Sequence, residues 1–234
     1  MKTKTQRDAL LQSLAFSTFC VMVLWVIQSA GVLFDLPLSY LGIQPLTLRG
    51  LVGVVSAPLV HGSYEHLFNN TLPLIILGGA LGYGYPKTRL KALGFAWLGS
   101  GIGVWLWGRP SVHLGASGVA HGLFFYLFVI AVMRRDARSV GLMMIAFFLY
   151  GGMVMTIFPR DPQISYEAHF FGAMGGIAAA LLFGKQEPKP EIKKYSWEQV
   201  DEEDPIIGDA WQQPSSFEDD GHQGADHNAE DRRR

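Results

Sequence analysis

Hydrophobic positions along this chain fall into long runs without a charged residue. Such runs of 26, 21 and 17 residues separate Asp8 from Asp35, Glu65 from Lys87 and Lys91 from Arg109. Further runs of 24, 21 and 17 lie between Arg109 and Arg134, Arg138 and Arg160, and Glu167 and Lys185. A hydrocarbon core about 30 Å thick is crossed by about 20 apolar residues of helix. Helix is also the open-ended structure that satisfies its own backbone in lipid. The pattern therefore predicts an all-α polytopic membrane protein, a bundle of six transmembrane helices. The approximate spans are 10–34, 66–86, 90–108, 115–133, 139–158 and 167–184. The first run is too long for the apolar region of a signal peptide and no small-residue cleavage site follows it, so it is read as the first span.

Residues 36–64 connect the first two spans. They hold Pro37, Gly42, Pro45 and Pro58 among apolar residues, too apolar for a solvated loop yet, broken by these residues and Arg49, without room for another full span. The reading is a long interfacial loop of short helices lying against the bundle, with a re-entrant segment as the alternative. After residue 184 the character changes. Residues 185–234 contain seven basic and 14 acidic residues and are dotted with proline. Such a segment buries too little apolar surface to order itself and is expected to be mostly disordered. Its Trp197, Ile206, Ile207 and Trp211 form at most a short docking motif. The chain thus divides into a membrane domain, 1–184, and an acidic tail, 185–234.

Charge then orients the bundle. Basic residues favour the cytoplasmic side. Lys2, Lys4 and Arg7, then Lys87, Arg89 and Lys91, then Arg134, Arg135 and Arg138, then Lys185 and Lys189 occupy alternate connections, and the remaining three hold only Arg49, Arg109 and Arg160. Both termini are therefore expected in the cytoplasm. A single cysteine, Cys20, excludes an internal disulfide or a thiolate metal site. No basic patch suggests nucleic acid.

With this topology, spans two, four and six all run inward from the outer face. Their outer ends carry His66 and Asn70, then Ser117 in "HLGASGVAHG", then His169 in "EAHFFGAMGG". Each feature alone is ordinary: a membrane serine usually bonds back to its own helix, and glycines there serve packing. Their shared depth is what points to function. Gly118 and Gly122, and Gly172 and Gly176, are pairs four apart that let backbones approach closely. Close packing of spans four and six would bring Ser117 to His169, and a serine hydroxyl needs such a base to become a nucleophile. No acid member is available to complete a triad: Glu167 points to another face of its helix and Asp161 lies in a loop. His66 and Asn70 share a helix face, and with the Ser117 amide they could donate to a developing oxyanion.

The chain resembles the rhomboid family of intramembrane serine proteases over residues 10–184. "GASG" (Gly115–Gly118) is similar to the family's G-x-S-G motif, "AHFFGAMGG" to A-H-x-x-G-x-x-x-G, and "HGSYEHLFNN" to a pattern met by His61, His66 and Asn70. The resemblance implies a Ser117–His169 dyad with an oxyanion site of His66, Asn70 and the Ser117 amide. Gly115, Gly118, Gly122, Gly172, Gly176, His121 and His61 are supporting residues. It departs from many members in two places. No Trp-Arg pair occurs in residues 36–64, and the aromatic position four after the serine is His121. His113 is read as an interfacial or loop residue. The implied activity is endoproteolysis within the transmembrane segments of single-span or polytopic membrane proteins near the outer face, in a bacterial inner (plasma) membrane. A non-catalytic rhomboid-like binder of membrane proteins is the alternative. A histidine-rich metal transporter is a third class, but no H-x-x-x-H pair accompanies a carboxylate on one helix. No metal or cofactor is expected.

Overall fold

The computed structural model describes residues 2–159 and 161–188; the acidic segment 189–234, with its tryptophans, lies outside the described residues. Seven α-helices follow one another: α1 (Lys2–Leu33), α2 (Leu48–Ser56), α3 (Tyr64–Gly84), α4 (Arg89–Trp107), α5 (Ser117–Arg134), α6 (Ala137–Tyr150) and α7 (Tyr166–Phe183). Four stretches are long and apolar enough to cross a membrane: Gln6–Leu33, Ser117–Arg134, Ala137–Ile157 and Tyr166–Gln186. α3 and α4 have 21 and 19 residues but dilute their apolar sequence with His66, Asn69, Asn70 and Pro73 or with several glycines. The only pairing of extended backbone among the described residues is an isolated bridge between Ile43 and His113.

Local sequence sets most helix starts. Thr47, Ser63, Asp136 and Ser165 each accept a backbone N–H of the following turn with their side chains, capping α2, α3, α6 and α7. α4 has no cap of its own. The Glu187 carboxylate supplies one from across the bundle, accepting Lys87 N–H and Thr88 N–H at 3.1 Å each. Thr88 is buried there against Tyr126, hydroxyl to hydroxyl at 2.7 Å. α5 is the exception: Ala116 precedes it, and no side chain caps it.

The length of the fifth apolar run predicts one helix over 139–158. The structure breaks it at Tyr150, and Gly151–Ile157 continues as 3-10 helix. Gly151 and Gly152 are weak helix formers, and 3-10 turns are common where an α-helix ends.

α5 is central. It packs on α3, α4, α6 and α7, and eleven of its 18 residues are buried. α4 and α5 both pack closely on α7. The contact is backbone against backbone. A side chain at Gly172 would run into the Gly118 carbonyl, and one at Gly176 into that of Gly122. A Cβ at Gly122 would lie 2.8 Å from the Gly172 carbonyl oxygen. α1 and α6 are peripheral, and turn Phe16, Phe19, Val26, Ile145 and Phe148 outward. Helices that are apolar on their exposed face suit a lipid surround.

Between α1 and α3 the chain forms two short 3-10 segments and α2. Two α4 tryptophans hold this region, Trp105 donating to the Thr47 carbonyl at 2.9 Å and Trp97 to that of Val55 at 3.1 Å. In place of a Trp-Arg pair, the Arg49 guanidinium lies 3.8 Å from the centre of the Tyr40 ring.

Candidate functional site

Ser117 is the first residue of α5 and His169 lies in the first turn of α7. The glycine contacts between these helices set their separation. Ser117 Oγ is 2.9 Å from His169 Nε2. The other ring nitrogen, Nδ1, is 3.0 Å from the Thr156 carbonyl oxygen on the 3-10 segment. His169 is buried, with 6% of its surface exposed, so its ring is held rather than free to turn.

His121 packs flat on that ring, centroid to centroid 3.8 Å with 10° between planes. Its Nδ1 is 2.7 Å from the Ser117 carbonyl oxygen and its Nε2 2.7 Å from Thr156 Oγ1. The position four after the serine is thus filled by a ring that stacks and also makes two hydrogen bonds.

The turn before Ser117 is shaped by Gly115. Its φ of +105° suits glycine, and a Cβ there would lie 2.5 Å from His66 Cε1. The His66 imidazole therefore rests against the chain two residues before Ser117. Asn70, one turn along α3, is buried and donates through Nδ2 to the His66 carbonyl at 3.1 Å. That bond uses one of its two N–H groups. His61 lies in the connection before α3. Its Nε2 accepts the Ala116 N–H at 3.3 Å, and its ring meets His66 edge to face at 5.0 Å. Burial, and secondly the His66 imidazole, push the His61 pKa down to about 4. It is a neutral ring that braces the turn.

The uncapped start of α5 leaves first-turn amides without intrahelical partners, next to the Ser117 hydroxyl. Hydroxyl, imidazole and backbone donors share one locality. That set can carry out acyl transfer. No group of His, Cys, Asp and Glu that could hold a metal occurs among the described residues.

Three residues have roles that the sequence does not reveal. Glu167 is buried, and its carboxylate lies 3.5 Å from Arg109 Nε and accepts the Arg109 N–H at 3.3 Å. It is engaged with Arg109 and makes no bond to His169. His113 bonds Ser165 Oγ at 2.6 Å and the Arg109 carbonyl at 3.0 Å, while its backbone forms the bridge to Ile43. It ties the connections before α2, α5 and α7 together. Thr156 had no motif to mark it.

The Rhomboid domain family model matches residues 49–186. An uncharacterized protein of Mycobacterium tuberculosis is 32% identical over 183 residues, covering 74% of this chain and 76% of its own. An uncharacterized protein of Mycobacterium leprae is 31% identical over 163 residues, covering 65% and 64%. YdcA of Bacillus subtilis, named as a candidate rhomboid protease, is 28% identical over 135 residues, covering 55% and 65%. No solved structure matches the chain. The family match covers more than half of the chain, including every residue of the Ser117 locality, and this chain belongs to the rhomboid family.

Proposed function

We propose that the protein is an intramembrane serine endopeptidase, with Ser117 as nucleophile and His169 as general base and acid. The observation that carries this reading is the 2.9 Å contact between Ser117 Oγ and His169 Nε2. The Thr156 carbonyl can only accept, so it favours the tautomer with its proton on Nδ1, leaving the Nε2 lone pair towards the hydroxyl.

In this mechanism Ser117 Oγ attacks the scissile carbonyl carbon as its proton passes to His169 Nε2. The carbonyl oxygen becomes an oxyanion facing the Ser117 amide, His66 and the unused N–H of Asn70. Collapse breaks the C–N bond, and the leaving amine takes the proton from Nε2. Water then attacks the ester carbonyl as its proton passes to His169 Nε2, and collapse breaks the acyl C–Oγ bond while that proton returns to Ser117 Oγ, releasing the acid. The dyad is used twice, as base and then as acid.

The substrates in this reading are membrane proteins whose transmembrane helix unwinds near the outer face, since an intact helix shields its peptide bonds. All six apolar runs cross the membrane, α3 and α4 included, with both termini cytoplasmic. The setting is a bacterial inner membrane. A non-catalytic binder is the competing reading. Retention of both a hydroxyl and an imidazole at hydrogen-bond distance favours catalysis. The test is cleavage of a reconstituted single-span substrate. Ser117→Ala and His169→Ala are each expected to abolish it while the protein stays folded, and substantial cleavage by folded Ser117→Ala would overturn the serine mechanism.

A further inference from the structure

A base that must turn its lone pair to a serine needs something on its other nitrogen. Here that group is the Thr156 carbonyl, 3.0 Å from His169 Nδ1. The carbonyl is available because Thr156 lies at the end of the 3-10 segment, where carbonyls lack helical donors.

The same residue reaches the second imidazole. His121 Nδ1 faces the Ser117 carbonyl, an acceptor only, so Nδ1 bears the proton of the neutral ring. Nε2 then accepts, and the Thr156 hydroxyl, 2.7 Å away, is its donor. That hydroxyl has one alternative acceptor, the Met153 carbonyl at 3.0 Å. The bonds close into a ring, from Ser117 to His169, to Thr156, to His121 and back to Ser117.

We propose that Thr156 is a positioning residue for the dyad, its carbonyl holding His169 in the reactive tautomer and its hydroxyl locking His121 beneath the base. The inference rests on the protease reading above. It deepens that reading by replacing the missing acid with a main-chain acceptor on a lightly buried element. No residue of the 3-10 segment is buried, and of α6 only Ser139 and Ala146 are. The base's orientation therefore depends on where this segment sits.

The experiment compares wild type with Thr156→Val, Thr156→Ser, His121→Phe and the double variant Thr156→Val/His121→Phe. Each is purified in detergent and checked for a monodisperse, folded state. Labelling of Ser117 by a fluorophosphonate probe and kcat and KM on a membrane-protein substrate are measured. Valine keeps the shape and the carbonyl but loses the hydroxyl. Thr156→Val is expected to lower labelling and kcat on the order of 10- to 100-fold, as for a small misplacement of reacting groups, with KM unchanged. Thr156→Ser restores most of the rate. His121→Phe keeps a stacked ring without its hydrogen bonds and falls like Thr156→Val. The double variant loses no more than the worse single, because the two residues act as one unit.

A purely structural threonine would lower the unfolding temperature and leave these rates alone. Wild-type rates in Thr156→Val, a serine variant no better than valine, or losses that multiply in the double variant would each overturn the proposal. If Thr156→Val fails to fold, His121→Phe decides: a wild-type rate there overturns it, and a fall in kcat on the order of 10- to 100-fold with KM unchanged supports it. Absence of Ser117 labelling in wild type would defeat the dyad reading and this inference together. Labelling in wild type with unaffected variants would defeat only the inference.

Discussion

At the residue scale, the site is built from imidazoles with different tasks. His169 faces the hydroxyl, His121 stacks beneath it, and His61 braces the turn through the Ala116 amide. His61 gives a prediction in pH. Its folded pKa of about 4 lies below the ordinary value near 6.5, because burial and the His66 ring disfavour the cation. Its Nδ1 has no hydrogen-bond partner among the described residues. The unfolded chain therefore binds the proton first, and stability falls as pH drops through 6.5, with the loss complete near 4. Between pH 7.5 and 5 the loss is roughly 2 kcal/mol. Thermal unfolding in detergent is expected to show it on top of what the other buried imidazoles contribute, and His61→Gln to lose this share of the slope; an equal slope in His61→Gln would remove His61 as a cause. The residue types of the site were legible in the sequence because their motifs recur at fixed spacings. The bonding of Thr156, Glu167 and His113 was not. Each depends on a partner more than ten residues away, and nothing local to "TIFP", "YEAHF" or "SVHLG" names it.

At the scale of elements, the α5–α7 contact carries the geometry. The glycine pairs were legible as a close-packing face because spacing by four places small residues on one side of a helix. The structure puts Gly172 over the Gly118 carbonyl and Gly176 over that of Gly122. Gly172→Val is thus expected to push the helices apart and slow fluorophosphonate labelling by on the order of 100-fold in protein that still runs as a single folded species. Labelling at the wild-type rate would show that these glycines do not position the dyad. The break of the fifth run at Tyr150 was not legible from apolarity, which is the same for α-helix and 3-10 helix. Only "GG" at 151–152 hints at it, and that hint competes with the ordinary use of glycine in membrane packing. The cap on α4 was equally hidden, since Glu187 sits in a polar stretch that reads as the start of a tail.

At the scale of the molecule, the proposed topology rests on the apolar runs and the charge alternation, and it would turn the Ser117 layer outward. That orientation predicts accessibility. With Cys20 replaced by serine, cysteines placed at the exposed residue 89 and at 136 should be shielded from an impermeant outside thiol reagent until the membrane is permeabilised, and one at 162 should react. Strong outside labelling at 136 would invert the topology. In the proposed mechanism Ser117, activated by His169, cuts a membrane-embedded peptide bond. The most direct measurement is the mass of the products formed from a single-span substrate co-reconstituted in vesicles. Two fragments are expected whose masses together exceed that of the substrate by one water, with the cut in the outer part of the span. They should form with wild type and be absent with folded Ser117→Ala. The same fragments from Ser117→Ala, or none from wild type with any helix-destabilised substrate, would contradict it.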